Sequence, residues 1–457
     1  MLRAIFSDWK PFFKPISLIF MEGKPIARVK QSQESFEERV QTLSKSDAIA
    51  EAKRCLQCQE PKCLLGCPAG VNSREIIRLV KEERLEDAKK QLLLHNSAPC
   101  ITSRVCQAYR QCEGACILSK NGKPINISGI ERFVADHTAG FREEMPDLNG
   151  KKIAVIGAGP AGLTAALDFR KKGYFVVVFE AEKKIGGLLV NAIPKYRLPE
   201  EVTEEFLKQA NIDGIEIHTE TRVGDDLLLN DFLKEFSAVL VASGEKIAKQ
   251  LTIKGNELDG VLYWDDFLKE FNGKNGKLNG KKVIVIGGGD TAIDCARVAI
   301  RNGADVTIAY RKTMDFMPAQ KREIKDAGEE GVKFSFLLSP LEFSGDKELK
   351  EAVFEKVLVE KEHFVMSGHS ERLQTDIIVV AAGQQQDNEL LTGTALEGKR
   401  LETHSSKTKL DKVFVAGDLM NKNKTVIHAI RSAKEAVVEI DNFLNGKGIV
   451  PEGMTKI

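Results

Sequence analysis

The sequence lacks an excess of charge of either sign. Its 67 lysines and arginines are balanced by 66 aspartates and glutamates, so we expect neither nucleic acid nor an acidic membrane surface as a partner. A long hydrophobic run is also missing. Residues 11–20 (PFFKPISLIF) are apolar, but a lysine and two prolines interrupt them, and the run is too short to cross a bilayer. We therefore expect no membrane span. Residues 11–20 would be either a segment that packs on a partner or a loosely docked arm.

Cysteine is nearly absent from the last three quarters of the chain, where only Cys295 lies beyond residue 116. We find no secretion signal and expect a reducing, cytoplasmic compartment. There, clustered cysteines are metal ligands more often than disulfides. The eight clustered cysteines are Cys55, Cys58, Cys63, Cys67, Cys100, Cys106, Cys112 and Cys116.

The spacing of these cysteines favours an iron–sulfur module. The first four read C-x2-C-x4-C-x3-C and end in Cys67-Pro68, and the last three read C-x5-C-x3-C. A CxxC start and a Cys-Pro finish are typical of ferredoxin ligation, in which the last cysteine often serves another cluster. Zinc is the alternative, but zinc ribbons usually have two CxxC pairs and this chain has one. Disulfides are the least favoured interpretation.

After Asn149-Gly150 the sequence pattern changes from helical to alternating. Residues 46–95 have helical periodicity, whereas residues 151–156 (KKIAVI) and 281–286 (KKVIVI) are short β-rich runs, each followed by glycines. Strands then alternate with helices to the end, which is typical of doubly wound α/β domains. Because 457 residues are too many for one core, we predict an α-helical N-terminal domain followed by two Rossmann-like α/β domains.

The first glycine loop predicts a dinucleotide site. Gly157, Gly159 and Gly162 form a GxGxxG pattern between a strand and a helix. Such glycines let the backbone approach a pyrophosphate, which the helix N-terminus then binds. The next strand, Phe175–Phe179, ends in Glu180, 23 residues after Gly157, where a carboxylate suits a ribose diol.

Further motifs are similar to those of flavoproteins with two dinucleotide domains. Gly187 ends a Gly-Gly pair shortly after the first site, and Val413–Asp418 (VFVAGD) places Gly417 and Asp418 after a strand. In similar flavoproteins this aspartate binds the ribityl and pyrophosphate region. Thr425 opens the last predicted helix, whose N-terminus would stabilise negative charge on a reduced flavin. These motifs predict FAD in the first site.

The second glycine loop, at residues 287–292, predicts NADPH. It repeats the strand–loop–helix plan with alanine in the third glycine position, which still permits tight packing. The position 23 after Gly287 is Tyr310, followed by Arg311 and Lys312. An acidic residue would repel a 2′-phosphate, whereas this basic pair would bind it. The pair therefore favours NADPH, and NADH is the alternative. The predicted contacts are Gly287, Gly289, Asp290, Thr291, Ala292, Arg311 and Lys312.

The whole chain resembles the small (β) subunit of NADPH-dependent glutamate synthase and its relatives. These include the large subunit of NADH-dependent ferredoxin:NADP oxidoreductase and the N-terminal half of dihydropyrimidine dehydrogenase. The resemblance spans about residues 35–445 and is carried by RCLQCQEPKCLLGCP, RVCQAYRQCEGAC, IERFVADH, VIGAGPAGL, IPKYRLP, VIGGGDTA with YRK, and AGDLMNKNKTVIHAI. It implies one FAD, one NADP(H) and two 4Fe-4S clusters.

The resemblance also implies a domain order and a ligand set. We expect a helical iron–sulfur domain at residues 1–150, an FAD domain at 151–248 and 374–457, and an inserted NADPH domain at 249–373. Cys100 is assigned to neither cluster. Relatives carry an extra cysteine at the position of Thr102, two residues after Cys100. Cys100 remains an alternative to Glu131 as the fourth ligand of the second cluster. The implied ligands are Cys55, Cys58, Cys63 and Cys116 for the first cluster, and Cys67, Cys106, Cys112 and Glu131 for the second.

The expected activity is electron transfer from NADPH through FAD and the clusters to a larger catalytic subunit of a hetero-oligomer that makes L-glutamate. Hydride transfer needs orientation more than acid–base chemistry, so the one catalytic candidate is Lys195, which the resemblance places near the flavin. No cysteine pair follows the first Gly-Gly, and Cys295 has no CxxC partner, so we expect no thioredoxin-reductase-like activity.

Other functions remain open at this point. Within enzymes, the alternatives are a subunit of ferredoxin:NADP oxidoreductase, of dihydropyrimidine dehydrogenase or of a sulfide dehydrogenase. The non-enzymatic alternative is a zinc-bearing scaffold with vestigial nucleotide loops.

Overall fold

The computed structural model describes residues 35–224, 226–227, 229–360, 363–385 and 406–447. The predicted arm at residues 11–20 lies outside them. The described chain forms a helical part, two parallel β-sheets with their helices and a three-stranded antiparallel sheet. None of the described helices is long and apolar enough to cross a membrane.

The helical part packs around one apolar core. The helix Ser73–Lys81 shows why: Ile76, Ile77 and Val80 are buried on one face, as expected of an amphipathic helix. The side chain of Asn72 accepts a hydrogen bond from the Glu75 N–H (3.3 Å) and caps this helix. The helices are α1 (Lys45–Lys53), α2 (Lys62–Gly66), α3 (Ser73–Lys81), α4 (Leu85–His95), α5 (Pro99–Val105), α6 (Cys112–Ala115) and α7 (Ile127–His137).

The first parallel sheet has the strand order β15–β4–β1–β2–β3, numbered along the chain. Residues 153–156 of its central strand are all buried, because both faces of the sheet are covered. The strands are β1 (Lys152–Ile156), β2 (Phe175–Phe179), β3 (Ile215–His218), β4 (Ala238–Val241) and β15 (Val413–Val415). The helices are α8 (Pro160–Arg170), α9 (Leu188–Asn191), α10 (Glu200–Lys208), α11 (Leu229–Glu235) and the last helix, α15 (Val426–Leu444).

The second parallel sheet is inserted between β4 and β15, as predicted for the NADPH domain. Its strand order is β6–β13–β7–β8–β9. The predicted domain boundary at residues 373/374 is wrong, since Ile377–Val380 pairs with two strands of this second sheet. The strands are β6 (Val261–Tyr263), β7 (Lys282–Ile286), β8 (Asp305–Tyr310), β9 (Lys333–Phe336) and β13 (Ile377–Val380), with helices α12 (Trp264–Phe271), α13 (Asp290–Arg301) and α14 (Lys321–Glu329).

The predicted alternation of strands and helices to the end of the chain fails between residues 338 and 374. Three consecutive antiparallel strands lie there: β10 (Leu338–Gly345), β11 (Leu349–Glu360) and β12 (His363–Gln374). Phe343 and Phe354 from this sheet pack on Ile284 and Ile378 of the second parallel sheet. The antiparallel sheet therefore contributes cover for that face of the second sheet.

A short two-stranded ladder marks where the chain passes between the parallel sheets. β5 (Ile247–Ala248) pairs with β14 (Gln384–Gln385) in antiparallel register. The outgoing and returning crossings are thus hydrogen-bonded to each other, and the inserted domain is held at both crossings.

Buried charges hold the inserted domain against the rest of the chain. Tyr196, which follows β2 and α9, is 1 % exposed, and its ring lies 4.5 Å from Arg297 and 3.9 Å from Arg301 of α13. Both guanidinium groups bind the Glu330 carboxylate, and Arg39 reaches the same carboxylate from the N-terminal side. This network ties all three parts of the fold together.

Candidate functional site

One cavity of about 450 Å³ lies where the helical part meets the two dinucleotide folds. Gly157 and Gly159 of the first glycine loop line it, and so do Asp290 and Thr291 of the second. Gln107, from the helical part, lines the same cavity. The structure therefore brings both predicted nucleotide loops and the cysteine-bearing part to one place.

The first loop has the backbone geometry that a bound pyrophosphate needs. The helix α8 begins directly after Gly159, and a Cβ at Gly162 would collide with the carbonyl oxygen of Gly157. The Glu180 carboxylate is 6 % exposed and accepts hydrogen bonds from the N–H groups of Ala158 (2.8 Å) and Glu182 (2.9 Å). Glu180 is thus fixed in the cavity wall beside the loop.

The loop that follows the edge strand β15 contributes Asp418 and leads to the start of helix α15. Asp418 and Thr425 line the cavity, as does Gly187. The Oδ1 atom of Asp418 is buried without a hydrogen-bond partner among the described residues, and burial raises the pKa of Asp418 to about 6. The adjoining Gly417 N–H donates to Ser432 (2.8 Å). Asp418 therefore brings a buried oxygen without a partner among the described residues to the cavity wall.

In the second loop, Asp290 is a junction between three segments. Its carboxylate accepts hydrogen bonds from the Gln320 backbone N–H (2.8 Å) and from Nε2 of Gln107 (2.8 Å). Gln107 directly follows Cys106 in the sequence. The second nucleotide loop is thereby bonded to the cysteine-bearing part, while the predicted contacts Gly287, Gly289 and Ala292 lie outside the cavity lining.

The predicted phosphate ligands Arg311 and Lys312 follow strand β8, away from the cavity lining. Arg311 is exposed. The ammonium of Lys312 lies 5.7 Å from the ring centroid of Phe316 and 5.4 Å from that of Phe364, within the range of cation–π attraction. Lys312 is therefore partly engaged by aromatic rings, and Arg311 is the more available of the two cations.

The eight clustered cysteines are all free thiols, and seven of them fall into two sets. In the first set, burial raises the pKa of Cys55, and the charges of Cys58 and Cys116 raise it further. Burial likewise raises the pKa of Cys63, with added repulsion from Cys55 and Cys116. These four thiols thus lie close enough to repel one another, and they are the four that the resemblance assigns to the first cluster.

The second set contains the three other predicted thiols and Glu131. Burial, together with the charge of Glu131, raises the pKa of Cys67 to about 11. Burial also raises the pKa of Cys106 and Cys112, and Cys67 and Glu131 repel each of them. Glu131 is itself buried, which raises its pKa to about 7, against a lowering hydrogen bond from Ser73 (3.1 Å).

Two short helices interleave the sets. Helix α2 carries Cys63 of the first set and ends at Cys67 of the second, and α6 begins at Cys112 of the second and ends at Cys116 of the first. Among the described residues no three His, Cys, Asp or Glu side chains converge on a single ion-sized point. The two sets are therefore groups of spaced donors.

Cys100 lies elsewhere. It is 7 % exposed and belongs to the apolar core of the first dinucleotide fold. Burial raises its pKa, and the charged groups that act on it are Lys89, Arg104 and Asp136, with no other cysteine among them. The alternative that Cys100 completes the second set is thus disfavoured relative to Glu131. Cys295, fully buried in helix α13, packs in the second core.

The prediction that Lys195 approaches the flavin does not agree with its position. Lys195 lines a separate cavity of about 570 Å³, and its ammonium pairs with Glu200 at 3.1 Å. Two positions along the same loop, Arg197 does line the main cavity and binds both carboxylate oxygens of Asp294 (2.8 and 2.7 Å). Of the two side chains, Arg197 faces the main cavity and Lys195 faces the other one.

Sequence reasoning missed further polar groups that face this cavity. Lys424 and Glu245 form an ion pair in its wall, although 179 positions separate them in the sequence. Ser243 Oγ, Trp264 Nε1 and Asp265 Oδ1 are buried there without a hydrogen-bond partner among the described residues. The quoted motifs gave none of these side chains a role, since the fold brings them together from distant segments.

The residues present fit the cofactors that the motifs imply. Unpartnered polar atoms at Asp418, Ser243 and Trp264 around a largely apolar cavity match a ligand with several hydrogen-bonding groups, as FAD has. Two groups of free, half-buried thiols match ligation of clusters.

Comparisons with known proteins agree with this arrangement. Residues 32–142 match the family described as dihydropyrimidine dehydrogenase domain II, 4Fe-4S cluster, and residues 151–433 match the family of pyridine nucleotide-disulphide oxidoreductases. The chain is 32% identical over 458 residues to the glutamate synthase (NADPH) small chain of Azospirillum brasilense, covering 92% of this chain and 94% of that protein.

Two further similarities concern a second relative and a solved structure. The chain is 31% identical to the NAD-dependent dihydropyrimidine dehydrogenase subunit PreT of Escherichia coli, over 87% of this chain and 95% of that one. The structure of Mycobacterium tuberculosis FprA in complex with NADPH superposes with a TM-score of 0.56 at 17% identity, covering 66% of this chain and 87% of that chain. At this identity the second similarity concerns the fold.

Proposed function

Because the chain belongs to the family of the glutamate synthase small chains, we infer that it is an NADPH-dependent flavin and iron–sulfur oxidoreductase. We propose that it holds one FAD, one NADPH and two 4Fe-4S clusters, and that it passes electrons to a larger catalytic subunit. The observation that supports this proposal most directly is the cavity of about 450 Å³. Residues of both glycine loops line it together with Gln107, the residue after Cys106.

The first glycine loop is proposed to hold FAD. The N–H groups at the start of α8 would bind its pyrophosphate, Glu180 would accept hydrogen bonds from the adenosine ribose, and Asp418 would accept them from the ribityl chain. The start of α15, at Thr425, would place positive potential beside the flavin ring. Bound there, FAD would accept a hydride from NADPH and pass single electrons to the clusters.

The second loop is proposed to hold NADPH, with Asp290 and Thr291 at the cavity and Arg311 on the 2′-phosphate. The proposed ligands of the first cluster are Cys55, Cys58, Cys63 and Cys116, and those of the second are Cys67, Cys106, Cys112 and Glu131. Cys106 adjoins Gln107 in the cavity wall, so the second set lies next to the cavity. Electrons leaving the cavity would reach the second set before the first.

The proposed role is the supply of reducing equivalents for L-glutamate synthesis. The support is the similarity to the protein of Azospirillum brasilense that is named glutamate synthase (NADPH) small chain. The partner would then be a large chain that carries the glutamine and 2-oxoglutarate chemistry. The alternative of a pyrimidine-reducing complex rests on the similarity to subunit PreT. The two alternatives differ in the acceptor subunit that this chain would serve.

Substitution of Arg311 tests the assignment of NADPH. Arg311→Ala removes a charge-assisted contact with the 2′-phosphate, which is worth about 1.5–3 kcal/mol. The KM for NADPH in ferricyanide reduction should therefore rise about 10- to 100-fold, while the KM for NADH should change little. Arg322→Ala, an exposed arginine on α14, serves as the control. Equal effects of Arg311→Ala on the two nucleotides would refute the assignment.

A further inference from the structure

Three large apolar side chains are exposed next to the first thiol set. Leu56 is 61 % exposed, Leu65 is 78 % exposed and Ile117 is 49 % exposed. Leu56 directly follows Cys55, Leu65 lies two positions after Cys63, and Ile117 directly follows Cys116. A buried site would not present its apolar neighbours to solvent in this way.

The segments that carry these three side chains are joined to one another. Helices α2 and α6 are in direct contact: a Cβ at Gly66 would lie 2.5 Å from the Cβ of Ala115 and 2.7 Å from the carbonyl oxygen of Gln111. Nη2 of Arg54 donates to the carbonyl oxygen of Lys123 (2.8 Å), which joins the segment before Cys55 to the segment after Cys116. We call Leu56, Leu65 and Ile117 the exit surface.

The segments that carry the exit surface have more exposed cations than exposed anions. The exposed charged side chains of residues 53–66 and 112–123 are five cations and one anion, and one of these cations, Arg54, pairs with the partly buried Glu51 at 2.6 Å. The anion, Glu60, is 86 % exposed and lies 3.8 Å from Lys62. The cations are Lys53, Arg54, Lys62, Lys120 and Lys123. Exposed apolar side chains on segments with an excess of cations are complementary to a partner whose surface is apolar with an excess of acidic side chains.

The exit surface lies beside the first thiol set. It is farther from the main cavity than the second thiol set is. No residue of 54–66 or 112–120 lines the main cavity, whereas Gln107, next to Cys106 of the second set, does. Helices α2 and α6 each carry one thiol of either set at their two ends. The arrangement thus runs from cavity to second set, to first set, to exit surface.

We propose that Leu56, Leu65 and Ile117 form the docking surface for an acidic, one-electron-accepting protein. The inference rests on the proposed function, because it names the place and the chemistry of the partner that the function requires. Each NADPH would give NADP⁺, one proton and two electrons, and two one-electron acceptor centres would each take one electron at this surface.

Binding of two small haem proteins of opposite charge tests the proposal with the full chain and its cofactors. The acidic soluble domain of cytochrome b5 should bind at low salt more tightly than basic cytochrome c, and its Kd should rise steeply with salt. Leu65→Ser and Ile117→Ser should each raise the Kd for cytochrome b5 about fivefold or more. Leu94→Ser is the matched control, since Leu94 is 61 % exposed on α4, and should leave that Kd within about twofold.

Reduction rates supply the second readout. The two surface substitutions should slow cytochrome b5 reduction by NADPH and leave ferricyanide reduction and the visible spectrum unchanged. Tighter binding of cytochrome c, or equal weakening by Leu94→Ser, would overturn the proposal. A lower sedimentation coefficient of the Leu65→Ser chain would also overturn it, because the surface would then join two copies of this chain. Absence of ferricyanide reduction would instead refute the proposed function, while the binding data still test the surface.

Discussion

The substitution Glu330→Gln should destabilise the inserted domain by several kcal/mol. The Glu330 side chain is 2 % exposed and accepts hydrogen bonds from Arg297 (3.0 and 2.7 Å) and Arg301 (2.5 and 2.9 Å). Glutamine would keep the shape and remove the charge. Arg297 would keep its ion pair with Glu323, but Arg301 would stay buried without the carboxylate that it binds, the situation in which a buried ion pair is most costly to break.

The magnitude follows from the pKa of Glu330. Burial alone would raise this pKa, but the hydrogen bonds from Arg301 and Arg297 outweigh burial and lower it from 4.5 to about 2. A lowered pKa means that the carboxylate stabilises the fold above pH 4.5 and that this contribution is lost as the pH falls towards 2. At about 1.4 kcal/mol per pKa unit, the contribution at neutral pH is about 3 kcal/mol.

Urea unfolding followed by tryptophan fluorescence measures this effect. Trp264 is 1 % exposed and packs in the same core as α13, so its fluorescence reports on this domain. The experiment would carry the substitution Trp9→Phe in every variant compared, because Trp9 is the other tryptophan of the chain. With an m value of about 2–3 kcal/mol/M, the midpoint should fall by about 1–1.5 M urea. The fall should be the same at pH 6 and pH 8, because both lie above 4.5.

Glu329→Gln is the control for this prediction. Glu329 is the neighbouring residue, its side chain is 57 % exposed, and it pairs with Lys325 at 3.6 Å. An exposed pair of this kind contributes about 0.3–0.5 kcal/mol, so the midpoint should hardly move. If Glu330→Gln shifted the midpoint no more than Glu329→Gln, the argument that this carboxylate holds the domain in place would be refuted.

Two further predictions concern the cofactors. Iron analysis should give about eight irons per chain. The variant Cys100→Ala should keep this iron content, and Cys106→Ala should lose about half of it. Zinc without iron would refute the cluster assignment. In the apoprotein, Asp418→Asn should raise stability at pH 7.5, because burial raises the pKa of Asp418 to about 6 and the charged carboxylate is therefore unfavourable above that pH. The same substitution should weaken FAD binding, as titration by flavin fluorescence would show, and an unchanged Kd would contradict the assigned contact.

Local motifs predicted the two nucleotide loops well. A glycine loop between a buried strand and a helix is specified within about thirty residues, and the structure has β1 with α8 and β7 with α13 at the expected places. The three-stranded sheet was missed although its pattern was readable. In β11 the residues at 352–354 (AVF) and 357–359 (VLV) form short apolar runs rich in valine, and β-branched residues favour strands.

Residue roles that depend on distant contacts could not be predicted from spacing. Glu131 lies on α7 in a sequence that reads as an ordinary amphipathic helix, and the resemblance to a family pointed to it where the pattern did not. Lys195 and Arg197 are two positions apart, and nothing local tells which of them faces the cavity. The deciding partner, Asp294, lies 97 residues after Arg197.

The bond between Gln107 and Asp290 shows why the site as a whole exceeds its motifs. The two residues are 183 positions apart, yet one adjoins a thiol of the second set and the other opens the helix of the second nucleotide loop. Each motif specifies one half of that contact by short-range backbone geometry. The distance between a nucleotide and a thiol set is fixed by how three folded parts pack, through contacts such as this one and the buried Arg39, Tyr196 and Glu330 network. Because electron transfer depends on that distance, the packing between the parts is itself a functional property of the chain.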